Sequence, residues 1–281
     1  MSLDASTIQT QLLRLGALCA GDGVRVDLLE AALTLSVLQR GEAIDLAPLR
    51  QHVEAMSSDL ADLVRRRGAQ PERLGEVIAS AYGYRGDSET YDDLQNADVA
   101  RVIERRKGLP VALSILYLHV ARAQHWDAEG LAFPGHFLIR VEIDGARHVI
   151  DPFNDGLTCD AAGMRGLLQR VLGPTADLSP GHFDPVPDRE VLLRLENNVR
   201  LRLAKGDDWS GAARSLDRML AVAPDRPELL FESGQVNARL DKRRAAISAF
   251  ERFLATPEAR ADRGLSQRAS ALLQELRRGL N

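Results

Sequence analysis

The sequence predicts an α+β protein in which one short β region lies between two helical regions. Apolar residues recur at steps of three and four over the first 70 residues, which is typical of amphipathic helices. From His136 to Ile143 every second residue is apolar, and Leu138 is the one apolar residue among the alternate positions. Asp144-Gly145 predicts a two-residue hairpin turn. Beyond residue 188 the apolar spacing is that of helices again. These three observations define the fold class.

The composition is that of an ordinary globular chain and excludes several classes of partner. Of the 281 residues, 45% are hydrophobic and 27% are charged, and the formal net charge is -4. This mildly acidic balance argues against binding of nucleic acid. No apolar run is long enough to cross a bilayer, and the first residues lack the basic and apolar regions of a secretory signal. We therefore expect a cytoplasmic protein with no membrane contact.

The chain contains two cysteines, Cys19 and Cys159. Two thiols cannot form a disulfide framework or an all-cysteine zinc site. The sequence also lacks the HExxH and CxxC patterns of metal sites, so we expect neither a metal nor a cofactor. One cysteine could still be a nucleophile, although neither has a position in the sequence that favours this role.

The helices before the β region have local start and stop signals. Asp27 predicts the N-cap of one helix. A second helix is predicted from roughly Asp45 to Arg67, with Gly68 as its C-cap. Asn96 is predicted to cap a short helix further along the chain. Pro110 then stands where a proline is favoured, at the first position of a helix that is apolar nearly all round and therefore buried.

The hairpin register places a histidine and an aspartate on one face of the predicted sheet. Pairing of Ile143 with Ala146 makes His136 and Asp151 diagonal neighbours across the ladder. Their Cβ atoms should be roughly 6–8 Å apart, a separation that a hydrogen bond between the side chains can span. The aspartate would fix the tautomer of the imidazole and raise its basicity. Such a pair is the orienting half of a nucleophile–His–Asp triad, or a purely structural pair.

The nucleophile of such a triad has no obvious candidate. A thiol at the start of the buried helix would be acidified by the helix dipole, but that position is Pro110. Ser114 lies one turn further along the same helix face, so a Ser114–His136–Asp151 triad can be drawn. Serines within helices usually bond to the carbonyl four residues earlier. The candidate catalytic residues are therefore His136, Asp151 and, as nucleophile, Ser114.

The C-terminal region shows an internal repeat. Three apolar positions recur with an offset of 34 residues: Ala212, Leu216 and Leu220 reappear as Ala246, Phe250 and Leu254. This period is typical of tetratricopeptide repeats, which are arrays of helix–turn–helix units. An unrelated helical bundle is the alternative interpretation.

Several segments resemble SirB-type proteins, which combine a transglutaminase-like domain with C-terminal tetratricopeptide repeats. These segments are Gly83-Tyr84-Arg85-Gly86, Asp93 with Asn96, Val102-Ile103-Glu104-Arg105-Arg106-Lys107-Gly108-Leu109-Pro110, Phe133-Pro134-Gly135-His136-Phe137-Leu138, Asp151-Pro152-Phe153 and Arg194-Leu195-Glu196-Asn197-Asn198. The resemblance covers roughly residues 75–281, and the second long segment follows the first at the matching distance.

The resemblance implies a helix packed on an antiparallel sheet, as in papain-like and transglutaminase-like proteins. In active members of this wider superfamily, a thiol begins the central helix and a His and an Asp come from adjacent strands. His136 and Asp151 match that His and Asp, whereas Pro110 falls at the cysteine position. SirB-type proteins typically have proline there as well. The resemblance therefore implies two of three triad members and no established activity.

These patterns predict four regions in the chain. They are an N-terminal helical segment (1–70), a transglutaminase-like core (71–172), a proline-rich linker (173–187) and tetratricopeptide-like helical repeats (188–281). The fold expectation is accordingly α+β, with an all-α C-terminal part.

Three functional hypotheses follow. The first is a non-catalytic interaction or regulatory protein that binds a protein or peptide through its repeats and the cleft near His136. The second is a hydrolase or acyl transferase that uses the His136–Asp151 pair with a non-cysteine nucleophile. The third is a purely structural pair that braces the hairpin. The first is favoured because a triad without its nucleophile loses most of its rate advantage.

Overall fold

The computed structural model describes residues 2–21 and 25–278. Its contacts divide the chain into two compact units. One unit contains Met1–Ile8 and Gly21–Leu195, and the other contains Gln9–Ala20 and Glu196–Asn281. The structure is mostly helical with a small sheet, which confirms the predicted α+β class. Within the described residues, no helix is both long and apolar enough to cross a membrane.

The helices that precede the repeats begin and end largely where local signals predict. They are α1 (Ala5–Leu18), α2 (Leu28–Arg40), α3 (Ala47–Arg67), α4 (Glu72–Gly75, continued by a π-helix over Glu76–Ala81), α5 (Val99–Arg105), α6 (Pro110–Ala123) and α7 (Ala161–Leu172). The carboxylate of Asp27 caps α2 by accepting from the amide of Glu30 at 3.0 Å. Gly68 ends α3, as predicted.

The N-cap of α5 is Asp98, so the prediction that Asn96 caps this helix was wrong. The Asp98 carboxylate accepts from the amide three residues later at 3.2 Å. Asn96 is fully buried and has other partners: its amide group donates to the carbonyl of Thr90 at 2.6 Å, and its oxygen accepts from Arg105 at 3.0 Å. It lies in a short 3₁₀ turn over Leu94–Ala97. Its side chain therefore stabilises the preceding loop rather than the helix.

The main sheet has four antiparallel strands, and the predicted hairpin forms its centre. The strands, in spatial order, are β3 (Asp127–Leu131), β4 (Leu138–Ile143), β5 (Ala146–Asp151) and β6 (Leu157–Thr158). A separate parallel pair joins β1 (Arg85–Gly86) to β2 (Lys107–Gly108). Ile143 pairs with Ala146, as the turn signal predicted. The outer strands β3 and β6 are short and lack clear alternation, so the sequence does not predict them.

Strand β4 begins at Leu138, two residues later than the alternation predicted. The reason lies in the backbone of His136, which makes both of its hydrogen bonds outside the ladder. Its N–H donates to the carbonyl of Phe133 at 3.0 Å, and its carbonyl accepts from Arg194 at 3.1 Å. Gly135, with φ of 66°, provides the left-handed conformation of this turn. His136 therefore occupies a turn that presents its side chain beside the sheet.

Helix α6 is the central helix of the first unit and packs on strands β3 and β4. It is buried nearly all round, as its apolar composition predicted. The sheet face with Phe137, Ile139, Val141 and Ile150 is buried as well. The opposite face, with Leu138 and Val149, packs against residues of α7 that include Met164 and Leu168. The sheet is thus covered on both sides. Asp151 is the last residue of strand β5.

The described residues of the second unit form helices joined by short turns, and they contain the predicted repeats. Its helices are the later part of α8 (Asp188–Lys205), then α9 (Trp209–Val222), α10 (Pro227–Arg239), α11 (Arg243–Ala255), α12 (Pro257–Ala261) and α13 (Arg263–Arg278), together with residues 9–20. Phe250 is fully buried against Gly234, where an added Cβ would lie only 2.6 Å from the ring. The small residue therefore permits close approach of α10 and α11.

A buried ion pair joins α8 to α9 within this unit. The carboxylate of Glu196 accepts from Arg218 at 2.9 and 3.0 Å and from the hydroxyl of Ser215 at 2.8 Å. Glu196 and Arg218 are 1% and 5% exposed at their side chains. Burial of a charged pair is tolerated here because the carboxylate has three donors.

Candidate functional site

The structure brings His136 and Asp151 together, as the hairpin register predicted. His136 lies in the turn before β4, and Asp151 is the last residue of β5. The imidazole Nε2 is 2.8 Å from Oδ1 of the carboxylate. The two side chains are 12% and 2% exposed, respectively. The hydrogen bond therefore forms at the edge of the buried interior.

The carboxylate of Asp151 is held by donors from the turn that follows it. Oδ1 also accepts from the amides of Phe153 at 3.0 Å and Asn154 at 3.3 Å, and Oδ2 accepts from the Asn154 side chain at 2.6 Å. Burial acts to raise the pKa of Asp151, but the hydrogen bonds and the His136 charge outweigh it and leave the pKa below its ordinary value. Asp151 is therefore ionised at neutral pH.

The ionised carboxylate fixes the tautomer of His136. A carboxylate can only accept hydrogen bonds, so Nε2 must carry the hydrogen. The neutral ring then has its lone pair on Nδ1. Nδ1 has no hydrogen-bond partner among the described residues, and it is not among their fully buried unsatisfied atoms. His136 is therefore an oriented base or acceptor whose free nitrogen is open to solvent.

Aromatic side chains form one wall beside this histidine. The ring of Phe153 meets His136 edge-on, with ring centres 5.9 Å apart, and Tyr91 meets the same phenylalanine at 6.0 Å. Phe153 also lies directly on Gly86, where an added Cβ would be 2.5 Å from the ring. Gly86, in the SirB-like segment Gly83-Tyr84-Arg85-Gly86, thus shapes the wall next to the histidine.

Arg194 also contributes to this site, although no sequence pattern indicates it. Its guanidinium donates to the carbonyls of His136 at 3.1 Å and Phe133 at 3.4 Å, and so holds the turn that carries the imidazole. Burial lowers the pKa of Arg194. The residue is 58 positions from His136 and lies on helix α8, so no local pattern connects the two.

Pro110 is buried at the first position of α6, as predicted. The hydroxyl of Ser114, which is fully buried, donates to the Pro110 carbonyl at 2.8 Å. This is the bond expected for a serine within a helix. The single hydroxyl proton of Ser114 is thereby directed along the helix, and no hydrogen bond joins Ser114 to His136 in the described part of the chain.

The two cysteines lie in environments that disfavour thiolate formation or access. Burial, together with the nearby carboxylates of Asp151 and Asp160, raises the pKa of Cys159 to about 11. Cys19 is only 2% exposed and belongs to the second unit. In residues 2–21 and 25–278, no three His, Cys, Asp or Glu side chains are grouped in a way that could hold a metal ion.

Comparison with known proteins agrees with this architecture. The sequence model of the transglutaminase-like superfamily matches residues 46–197, and the tetratricopeptide repeat model matches residues 199–274. The chain is 35% identical over 212 residues to a UPF0162 protein of Xylella fastidiosa (strain Temecula1), covering 73% of this chain and 74% of that relative. This chain belongs to the UPF0162/SirB1 family.

More distant members of the family are similar over comparable lengths. A UPF0162 protein of Vibrio cholerae is 28% identical over 246 residues, with 84% of this chain and 88% of the relative covered. The protein SirB1 of Salmonella typhimurium is 24% identical over 190 residues, with 66% and 70% covered. The resemblance inferred from the sequence motifs is thus confirmed.

In this UPF0162/SirB1 chain, the site supports acid–base or hydrogen-bonding chemistry at His136 Nδ1. An oriented imidazole can accept a proton from a bound hydroxyl or water, or bind a donor of a partner. Covalent catalysis additionally requires a positioned nucleophile. Neither Ser114, with its hydroxyl bonded along the helix, nor Cys159, with its raised pKa, meets that requirement in this geometry.

Proposed function

We propose that this protein is a non-catalytic transglutaminase-like protein of the cytoplasm, which acts as an interaction or regulatory module through its repeats and the cleft near His136. The observation that carries this proposal is Pro110 at the first position of α6. By resemblance, this is the position of the thiol in active members of the wider superfamily. A proline side chain has no nucleophilic atom, so the His–Asp pair has no covalent partner there.

The repeat unit supports the interaction part of the proposal. Tandem helical repeats build extended surfaces that bind peptides or other domains. Leu201, on the part of α8 that belongs to this unit, is 51% exposed. Replacement of this exposed side chain therefore probes one face of the repeat unit without disturbing its core. The net charge of -4 favours a protein or peptide over nucleic acid as that partner.

The proposed lack of catalysis is tested with a panel of ester, amide and glutamine-containing peptide substrates. We expect the wild-type protein to show no turnover above the buffer rate and no difference from His136→Ala. The Pro110→Cys variant is the matched control, because it restores a thiol at the start of α6 and shows whether the panel can detect activity. Wild-type turnover that His136→Ala abolishes would overturn the proposal.

The interaction part is tested with the full chain in its host cell. Cross-linked partners are recovered with the wild type, with Leu201→Asp and with Leu172→Asp. Leu172 is the matched control because it is also exposed, at 60%, but lies on α7 of the first unit. We expect Leu201→Asp alone to reduce recovery of a saturable partner. Equal recovery by both variants would exclude this face of the repeats as the docking surface.

A hydrolase or acyl transferase is the second candidate, and the intact hydrogen bond between His136 and Asp151 favours it. In this alternative, Nδ1 of His136 activates a non-cysteine nucleophile such as water. The substrate panel distinguishes the two candidates. This alternative requires wild-type turnover that falls in both His136→Ala and Asp151→Asn.

A further inference from the structure

A cavity of about 720 Å³ is lined by residues of strands β4 and β5 and of the start of α7. Its volume is in the range of small-ligand pockets, about 300–1,000 Å³. Its lining includes Arg140, Arg147, Val149, Cys159, Met164 and Phe183. Neither His136 nor Asp151 lines it, so it is separate from the candidate site above.

The floor of this cavity is apolar. Val149 and Cys159 contribute from the sheet side, and Met164 contributes from α7. All three belong to the cluster that packs this face of the sheet against α7. Phe183, 36% exposed, adds an aromatic wall. An apolar group of a ligand can therefore lose its contact with water here.

Two arginines approach the cavity from adjacent strands. Arg140 is opposite Val149 in the ladder, which makes Arg147 its diagonal neighbour on the same face. Arg140 pairs with Glu129 and donates to the carbonyl of Phe183 at 3.2 Å, so it holds the wall in place. Arg140 therefore stabilises the wall of the cavity through contacts within the protein.

Arg147 has donors to spare. Its Nε donates to Glu142 at 3.2 Å, whereas neither terminal nitrogen has a partner among the described residues. Its side chain is 67% exposed. The two terminal nitrogens of a planar guanidinium can each direct one N–H toward one of the two oxygens of a carboxylate. Asp160, the carboxylate among the described lining residues, is occupied as the N-cap of α7 by the amide of Gly163 at 2.7 Å.

The edge of β5 runs beside the same cavity. Strand β6 pairs with β5 only at Ile150 and Asp151, so the segment 146–148 extends beyond the ladder with β6. Arg147 and His148 of this segment line the cavity. Exposed strand edges can bind extended peptides through backbone hydrogen bonds.

We propose that this cavity binds an apolar group that carries a carboxylate, which Arg147 receives while the apolar part lies against Val149, Met164 and Phe183. The carboxylate belongs to a free carboxylic acid or to an extended peptide beside β5. The proposal goes beyond the function proposed above, because it needs neither the repeats nor His136.

Cys159 provides a built-in reporter of occupancy, because its thiol lines the cavity. The rate of its alkylation by iodoacetamide is measured at pH 9 by mass spectrometry of the full chain, and a trace of added 2-mercaptoethanol is the reference for reagent reactivity, because Cys19 is buried. We expect 10 mM hexanoate to slow alkylation of Cys159 at least threefold, and hexanol at the same concentration to have little effect. The Arg147→Gln variant should lose the protection by hexanoate.

Arg165→Gln is the matched control, since Arg165 is an exposed arginine of α7 that does not line the cavity. It should retain the protection. A second arm uses an acetylated, amidated Val-Glu-Val-Glu peptide and its Val-Lys-Val-Lys analogue. Stronger protection by the glutamate peptide than by hexanoate assigns the carboxylate to a peptide, and the reverse assigns it to a free acid.

Equal protection by hexanol and hexanoate would overturn the proposal, as would protection that survives in Arg147→Gln or no protection by any probe. These outcomes are independent of turnover and of partner recovery by the repeats. Thermal unfolding of Arg147→Gln should match the wild type because its side chain is largely exposed, so a loss of protection reports on binding.

Discussion

Replacement of Asp151 by asparagine tests how the His–Asp pair contributes to the fold. Asparagine keeps an acceptor at the Oδ1 position, which receives three of the four hydrogen bonds, and places an amide nitrogen at Oδ2 against the donor of Asn154. One bond is lost, and the remaining three change from charge-assisted to neutral. Since that change weakens a bond by about 1 kcal/mol, the free energy of unfolding should fall by about 2–4 kcal/mol.

The effect should depend on pH in a defined direction. The folded-state pKa of Asp151 lies below the ordinary value of 3.8, so its stabilisation is present above that value and is lost as the pH falls through the folded pKa. The difference between wild type and Asp151→Asn should therefore be full at pH 6–7 and shrink below about pH 4.

Urea unfolding can be followed in the first unit alone. Trp126 is buried there at 8% exposure, whereas Trp209 lies in the second unit, so a Trp209→Phe background restricts the fluorescence signal to Trp126. Asn154→Ala is the control and should cost only about 1 kcal/mol, because it removes one donor. A cost below about 0.5 kcal/mol for Asp151→Asn at pH 7, or an equal cost at pH 3 and pH 7, would refute this reasoning.

Three further predictions test the surroundings of the site and the repeats. Gly86→Ala places a methyl group 2.5 Å from an aromatic ring and should lower the free energy of unfolding by about 1–3 kcal/mol, measured by urea denaturation. Glu196→Gln leaves Arg218 buried without its carboxylate and should cost about 3 kcal/mol in the second unit, seen as a lower midpoint of Trp209 fluorescence. In Pro110→Cys, the pKa of the new thiol should lie below the ordinary value of about 8.5, as measured by the pH dependence of its alkylation rate. An added His136→Ala substitution should raise that pKa again. If the second substitution leaves the pH dependence unchanged, the imidazole does not reach the thiol.

The orienting half of the triad is complete even though the nucleophile position is a proline. Four donors hold the carboxylate of Asp151, and the ring of His136 is fixed in one tautomer. An oriented imidazole can bind a donor of a partner as well as it can accept a proton. The same geometry is therefore compatible with both proposed functions, and the substrate panel rather than the geometry decides between them.

Local sequence was sufficient where a structural feature depends on residues close together in the chain. The hairpin register followed from one two-residue turn, and with it the pairing of His136 and Asp151. The position of Pro110 and the hydrogen bond of Ser114 also depend on a single helical turn. Asn96 was misassigned because its partners, Thr90 and Arg105, compete with the local capping signal.

Only the tertiary structure could decide which distant groups surround the pair and which thiols are usable. Arg194 reaches the turn of His136 from a helix that begins far along the chain, and residues 9–20 group with the repeats rather than with their sequence neighbours. The raised pKa of Cys159 and the cavity beside it arise from the packing of α7 on the sheet. Capping, turn and periodicity signals act over a few residues. Burial and desolvation depend instead on which distant segments pack together in the folded chain.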